Sequence, residues 1–392
     1  VAERRSQIPA LFAGKTHRLE QKVPQLSAAT ARRAEGGIEE RHLRIDIPSV
    51  QLPIPAVARA TLLALGWEDR GRAEKVAWHI PFDFDGHQFL LEHQKMGMNL
   101  HVWAPLDWTD EAVRALGGRA LASLQRAMAI TETDVFKPAI RARVAKGDVI
   151  LLNNVHSFRD SYRYLRALAE EKSESAVVQR AADSDVGSKL SDFLNRSLQR
   201  AAEKTALTDA MIVAFFAYLE RYLTLALPFS DADISRIDIP SFLVASWGDK
   251  FKKVLDLSSP EIKKAYDQLL HLADNYRNTR AHGHDKRGST MGVFLEEIGA
   301  VPVMISGIEA TPDFGIDHYT EERFADITTS FDDVESLIRG PVLGNAEHWI
   351  WGALDVSFAP AYVQSYRLPK DAYLEFYERE SLAWERAVNM EF

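Results

Sequence analysis

Asp209-Ala-Met-Ile-Val-Ala-Phe-Phe-Ala-Tyr-Leu-Glu-Arg-Tyr-Leu-Thr-Leu-Ala-Leu-Pro-Phe229 is the stretch on which the fold turns. Ile212, Phe215, Phe216, Leu219, Leu223 and Leu227 recur at three- and four-residue steps, so the spacing predicts a helix with a broad buried face. The acid–base pair Glu220 and Arg221 interrupts the apolar run 211–229, which argues for a core helix rather than a membrane span. Residues 157–172 and 189–203 carry apolar side chains at the same period and read as two further helices. Pro240 then interrupts. Pro260 suits a first helical turn and opens another helix through Tyr266, Leu269, Leu270, Leu272 and Ala273 towards Tyr276.

Upstream the period changes. Residues 76–80, 88–93 and 99–104 read as short strands separated by Asp-Gly and Gly turns. Thr109-Asp110-Glu111 supplies an N-cap and first-turn acids for a helix to about residue 130. Lys146-Gly147-Asp148 leads into a strand at 149–152. Residues 1–45 hold nine Lys/Arg against five acids and read as surface helices or a basic arm, joined to the rest through Pro48, Pro53 and Pro55. Downstream, 290–295 and 300–305 pattern as a hairpin. The stretch 309–339 sets nine acids against Arg323 and Arg339, with a helix near 331–338. Residues 341–392 carry ten aromatics, about twice the chain average, at near-helical spacing that suits packing better than base stacking. The expected fold is α+β and mainly α. It has four parts: a basic segment 1–45, an α+β domain 46–154, a helical domain 155–340 and an aromatic helical tail 341–392.

Composition narrows the chemistry. The 392 residues are 46% hydrophobic and 26% charged, an ordinary globular balance with no low-complexity tract. With no Cys there is no disulfide, thiol nucleophile or cysteine-held zinc. Zero Cys and the lack of an apolar leader after Arg4 and Arg5 lead us to expect a cytoplasmic protein with no membrane segment. A net charge of −9 excludes a protein basic throughout, so any nucleic-acid contact must rest on a local patch. Gly-rich phosphate loops and a Gly-x-Ser-x-Gly elbow are both missing. His87, Glu92, His93 and His101 invite a metal reading, but their spacing matches neither His-Glu-x-x-His nor His-x-x-Glu-His. They are expected to face solvent or cap turns, with no metal and no cofactor.

One segment concentrates reactive groups. From Arg277 to Arg287 the chain packs Arg277, Arg280, Lys286 and Arg287 with His282 and His284. Over 241–290 nine Lys/Arg face six acids, a basic stretch in an acidic protein. Asn278 and His282 are four apart and share a helical face. Arg277 and His282 are five apart, so they converge only if the helix bends or a second chain helps. Imidazole can move the proton of a 2′-hydroxyl at neutral pH, and guanidinium can hold a phosphate and stabilise the charge added in the transition state. A cationic cluster at a helix C-terminus also complements the helix dipole without any substrate.

The run Arg277-Asn278-x-x-x-His282-Gly283 resembles the Arg-x(4–6)-His motif of the HEPN superfamily. Ala214-Phe-Phe-Ala-Tyr-Leu-Glu-Arg-Tyr-Leu-Thr-Leu resembles that family's first long helix, and Trp247-Gly-Asp-Lys-Phe-Lys-Lys-Val with Tyr266 resembles the lead-in to its motif helix. The resemblance covers roughly residues 155–340 and implies a helical bundle that dimerises to bring two motifs together. It implies a metal-independent endoribonuclease of phage defence, toxin–antitoxin or stress systems, with RNA as substrate and an inhibitory or antitoxin partner. Arg277 would contact the scissile phosphate, Asn278 would orient the site and His282 would act on the 2′-hydroxyl or the leaving group. Arg280, His284, Lys286 and Arg287 would be auxiliary RNA contacts. The alternative is a catalytically inactive relative that binds RNA or nucleotides. A metalloenzyme centred on His87, His93 and His101 ranks last. The acidic stretch 309–339 departs from the simple picture, since it could repel RNA or mask the site.

Overall fold

The period-two stretches upstream of residue 106 pair into one antiparallel sheet. The computed structural model describes residues 21–22, 26–28, 40–174, 186–278, 291–296, 299–306, 309–312 and 319–389. The chain divides into two compact units, Val1–Lys146 with Glu378–Phe392, and Gly147–Tyr377. The fold is α+β and mainly α.

In the first unit, strands β1 (Leu26–Ala28), β2 (Glu40–Ile47), β3 (Val76–Phe84), β4 (His87–Gln94) and β5 (Gly97–Pro105) lie in the order β1-β3-β4-β5-β2. Asp85 and Gly86 close the β3–β4 hairpin with φ of 49° and 76°, the left-handed pair that a two-residue turn requires. The basic arm expected over 1–45 needs correction at its end. Glu40–Ile47 is a strand paired along its whole length with β5, and it alternates: Leu43, Ile45 and Ile47 point inward while His42, Arg44 and Asp46 point out. Helices α1 (Pro55–Ala64) and α2 (Asp110–Thr131) cover the apolar face, where Leu62, Val113, Leu116 and Ala120 meet Ile80, Phe82, Phe89, Leu100 and Val102. A π turn, Glu132–Phe136, joins α2 to α3 (Lys137–Ala145).

The second unit is helical. It opens with β6 (Ile150–Leu151), α4 (Val155–Glu174) and α5 (Val186–Ala226). The two helices expected at 189–203 and 209–229 are one 41-residue helix, because Lys204-Thr-Ala-Leu-Thr208 contains neither Gly nor Pro to break it. Then come α6 (Ile239–Val244), α7 (Trp247–Val254) and α8 (Pro260–Leu272). A meander of β7 (Met291–Leu295), β8 (Gly299–Ser306) and β9 (Glu309–Pro312) extends the expected hairpin by a third strand. Helix α9 (Glu321–Arg339) is followed by α10 (Ala346–Trp351), β10 (Val356–Ser357) paired with β6, α11 (Pro360–Tyr366) and α12 (Lys370–Asn389), within which the division between units falls.

Phe215 of α5 stacks on Phe331 of α9 with ring centroids 3.8 Å apart, and Tyr162 of α4 meets both edge-on. Most of the aromatic tail is not a separate element: Trp349, Tyr366, Tyr373 and Phe376 are buried in this same core. By length and composition alone, Gln199–Phe229 would pass as a membrane-crossing helix, the one such helix among the described residues. Of its most apolar window, 67% is buried.

Candidate functional site

Helix α8 starts where proline suits it, with Pro260 in the first turn after Ser259. Ile262, Ala265, Leu269 and Leu272 are buried, which turns Lys263, Lys264, Asp267 and His271 outward. At Ala273–Arg277 the helix widens into a single π turn, a distortion frequent at functional sites. The π turn ends at Arg277.

Arg277 is half-buried. Its guanidinium carbon stands 5.3 Å from the centre of the Phe216 ring of α5, and its Nε is buried with no hydrogen-bond partner among the described residues. The aromatic face holds the cation without consuming its donors. An unpaired buried N–H costs roughly 1–3 kcal/mol, a penalty that an anionic acceptor would remove. Asn278 donates from Nδ2 to Asp274 Oδ1 at 3.2 Å, so it braces the turn. Arg280, His282, His284, Lys286 and Arg287 lie outside the described residues.

Beside this turn, a groove of about 750 Å³ runs between α8 and α9. From α8 it takes Lys263, Lys264, Asp267, His271 and Leu272, then Tyr276 from the π turn; α9 contributes Arg323, Asp326, Ile327 and Ser330. Lys263 is consumed by Asp267, with both carboxylate oxygens 2.6 Å from Nζ. Lys264 and Arg323 are exposed and have no acidic partner within salt-bridge distance among the described residues. Tyr276 packs against the buried Tyr319 with ring centroids 5.6 Å apart. Sequence reasoning missed Phe216, Lys264, Tyr276 and Arg323 as site residues. The only available signal was the helical step Lys264, Gln268, His271, which required knowing which face of α8 was buried.

Three of the six acids of α9 pair with basic side chains of α4 and α5. Glu321 accepts from Lys204 at 2.5 Å, Asp332 takes both terminal nitrogens of Arg166 at 2.5 and 2.9 Å, and Glu335 accepts from Arg159 at 2.6 Å. Glu335 also lies 3.6 Å from Arg339, which stands over the Trp351 ring as Arg159 does. Through these three acids α9 is tied to α4 and α5.

In the first unit the histidines disperse. His87 packs on Trp108, and His93 is tilted against Trp78 on the covered face, where burial lowers its pKa. Only Glu92 and His101 meet, on the outward face of the sheet. The expectation that these residues face solvent or cap turns is corrected for this pair, whose side chains are only 13% and 16% exposed. Glu92 Oε2 lies 3.2 Å from His101 Nε2 and accepts from Gln94 at 2.7 Å, while His101 Nδ1 is 2.9 Å from His42 Nε2. The two imidazole planes differ by 8°, so the rings join edge to edge. Among the described residues no three His, Asp or Glu side chains converge as a metal-ligand set.

Comparison with protein-family models, curated proteins and solved structures returns no match.

Proposed function

We propose that the second unit is a metal-independent endoribonuclease of HEPN type, active as a homodimer in which two Arg277/His282 motifs share one cleft. A single observation carries the reading. Arg277 sits at the π turn that ends α8, its cation on an aromatic face and its buried Nε lacking an acceptor among the described residues. A phosphate diester supplies that acceptor, and guanidinium then stabilises the charge that builds up as the 2′-oxygen attacks phosphorus. His282 acts as the acid–base group, taking the 2′-hydroxyl proton or delivering one to the leaving oxygen. The convergence of the family-like segments supports this assignment: Phe216 packs on Trp247 at 5.2 Å and Trp247 on Tyr266 at 5.7 Å, gathering both upstream stretches around the motif helix. Antiviral, toxin–antitoxin or stress defence is the corresponding role, with an inhibitory partner to restrain the enzyme.

The test is cleavage of single-stranded and structured RNA in excess EDTA by the parent chain, His282→Ala and Arg277→Ala. Acid–base catalysis is worth roughly 10²–10⁴-fold, so His282→Ala loses cleavage and keeps RNA affinity, whereas Arg277→Ala loses both. Cleavage that requires Mg²⁺, or that survives in His282→Ala, defeats the nuclease reading. In the second case a protein that binds RNA without cutting it through this motif takes its place.

A further inference from the structure

The groove between α8 and α9 has a chemistry of its own. Its α8 wall runs from Pro260 to Tyr276, about 24 Å of helix at 1.5 Å per residue, and ends one residue before Arg277. Leu272 and Ile327 give it an apolar floor, and Tyr276 stands at the Arg277 end, backed by Tyr319. Three cations and two acids line it, but Lys263 and Asp267 cancel each other. Lys264 on one wall and Arg323 on the other remain as cations without a carboxylate among the described residues, against Asp326 alone in the lining. Unpaired cations on both walls, an apolar floor and an aromatic ring suit a ligand that repeats anionic and flat apolar groups. A cleft of about 750 Å³ open to solvent is on the scale of a few unpaired nucleotides, whereas a duplex is met by its shape across a wide groove.

We propose that this groove is a track for single-stranded RNA on one side of the Arg277 centre. Lys264 and Arg323 take backbone phosphates, and Tyr276 stacks a base. The proposal rests on the reading of Arg277 as the phosphate-binding centre and adds to it the strandedness of the substrate and the side from which it is held.

The experiment keeps binding and cleavage apart. In the full-length chain carrying His282→Ala, the affinity for an end-labelled oligoadenylate is measured by fluorescence anisotropy across a salt series. Lys264→Gln with Arg323→Gln should weaken binding by about tenfold or more, about 1.4 kcal/mol in total for two solvent-screened contacts. The double change should also flatten the log–log salt dependence by about 1.4, at roughly 0.7 per phosphate on a single strand. Tyr276→Leu should weaken binding at every salt concentration without changing that slope. Both cations are exposed, so melting temperatures should stay with the parent and a folding defect is separable. A double variant that binds oligoadenylate like the parent overturns the track, as does a duplex that competes as well as the single strand. Stronger displacement by polyglutamate than by unlabelled oligoadenylate also overturns it and assigns the groove to an acidic protein partner. Cleavage by the otherwise unsubstituted chain is read separately. If that chain never cuts RNA but the groove variants lose binding, the nuclease reading fails and the track stands. If it cuts RNA and the groove variants cut with the same KM, the track fails and the nuclease stands.

Discussion

The guanidinium of Arg277 lies 5.3 Å from the centre of the Phe216 ring, so the long core helix positions the residue proposed to hold phosphate. The ring is fully buried, wedged edge-on near Phe331 and against Trp247, and has little freedom to follow the cation if it moves. Phe216→Leu keeps an apolar side chain but removes the π face. At about 0.5–2 kcal/mol for a cation–π contact, RNA affinity should fall by roughly 2- to 30-fold. In the Arg277→Ala background the same change should have no further effect on affinity, because the group it positions is gone. Equal losses in both backgrounds would show that Phe216 acts through general packing.

A second prediction concerns stability. Tyr218 is fully buried on α5, and its hydroxyl has no hydrogen-bond partner among the described residues. Burial pushes its pKa well above the ordinary tyrosine range, so the hydroxyl stays protonated and uncharged. Tyr218→Phe removes an unsatisfied polar group at almost constant shape. It should raise stability by about 1 kcal/mol, read as a higher urea midpoint with an unchanged m-value. A loss of stability would mean that an internal water satisfies the hydroxyl.

The apolar C-terminal part of the long helix and the central strands were legible because burial follows a single period in each: three to four residues over Phe215, Leu219 and Leu223, and two residues over Ile80, Phe82 and Phe89 to Leu91. Strand β2 was not legible although Leu43, Ile45 and Ile47 alternate cleanly, because the charged residues between them continue the basic run upstream. The aromatic tail could not be assigned to the core from spacing, since a stripe such as Tyr373, Phe376 and Tyr377 reads the same whether it packs on its own bundle or on another. Arg277 was legible as chemistry. Its setting was not, because a π turn leaves no period in the sequence and Phe216 is 61 residues away. The pairing of three α9 acids was also illegible, because counting acids cannot reveal that Lys204, Arg166 and Arg159 reach across from other helices.

Acid should weaken the first unit through His93. Burial beside Trp78 lowers its folded-state pKa below the ordinary 6.5, so the unfolded chain takes up a proton more readily than the folded one. Its contribution to stability is therefore complete above pH 6.5 and is lost as the pH falls from there towards the folded pKa. Urea midpoints of the parent chain and His93→Gln, compared between neutral pH and about pH 5, should converge on the acidic side as the parent loses its advantage. A constant difference across that window would show that His93 titrates alike in both states.

The last prediction sets apart the two ends of a buried ion pair. Lys250 of α7 has a side chain only 3% exposed, and its Nζ donates to Glu220 Oε1 and to the Leu243 carbonyl, both at 2.9 Å. Glu220 belongs to α5 and its side chain is 31% exposed, so water already reaches it. The two deletions are therefore unequal. Glu220→Ala strands an ammonium in the core with one carbonyl for company, and the cost should be on the order of 3 kcal/mol. Lys250→Met fills the same volume with an apolar chain and leaves a carboxylate that water can solvate, so it should cost under about 1.5 kcal/mol. Combined with Lys250→Met, Glu220→Ala should cost much less than it does alone, because no stranded cation remains. The three variants are compared with the parent by urea unfolding. If Lys250→Met proves the more damaging single change, the bond to Leu243 outweighs the ion pair in holding α7 in place.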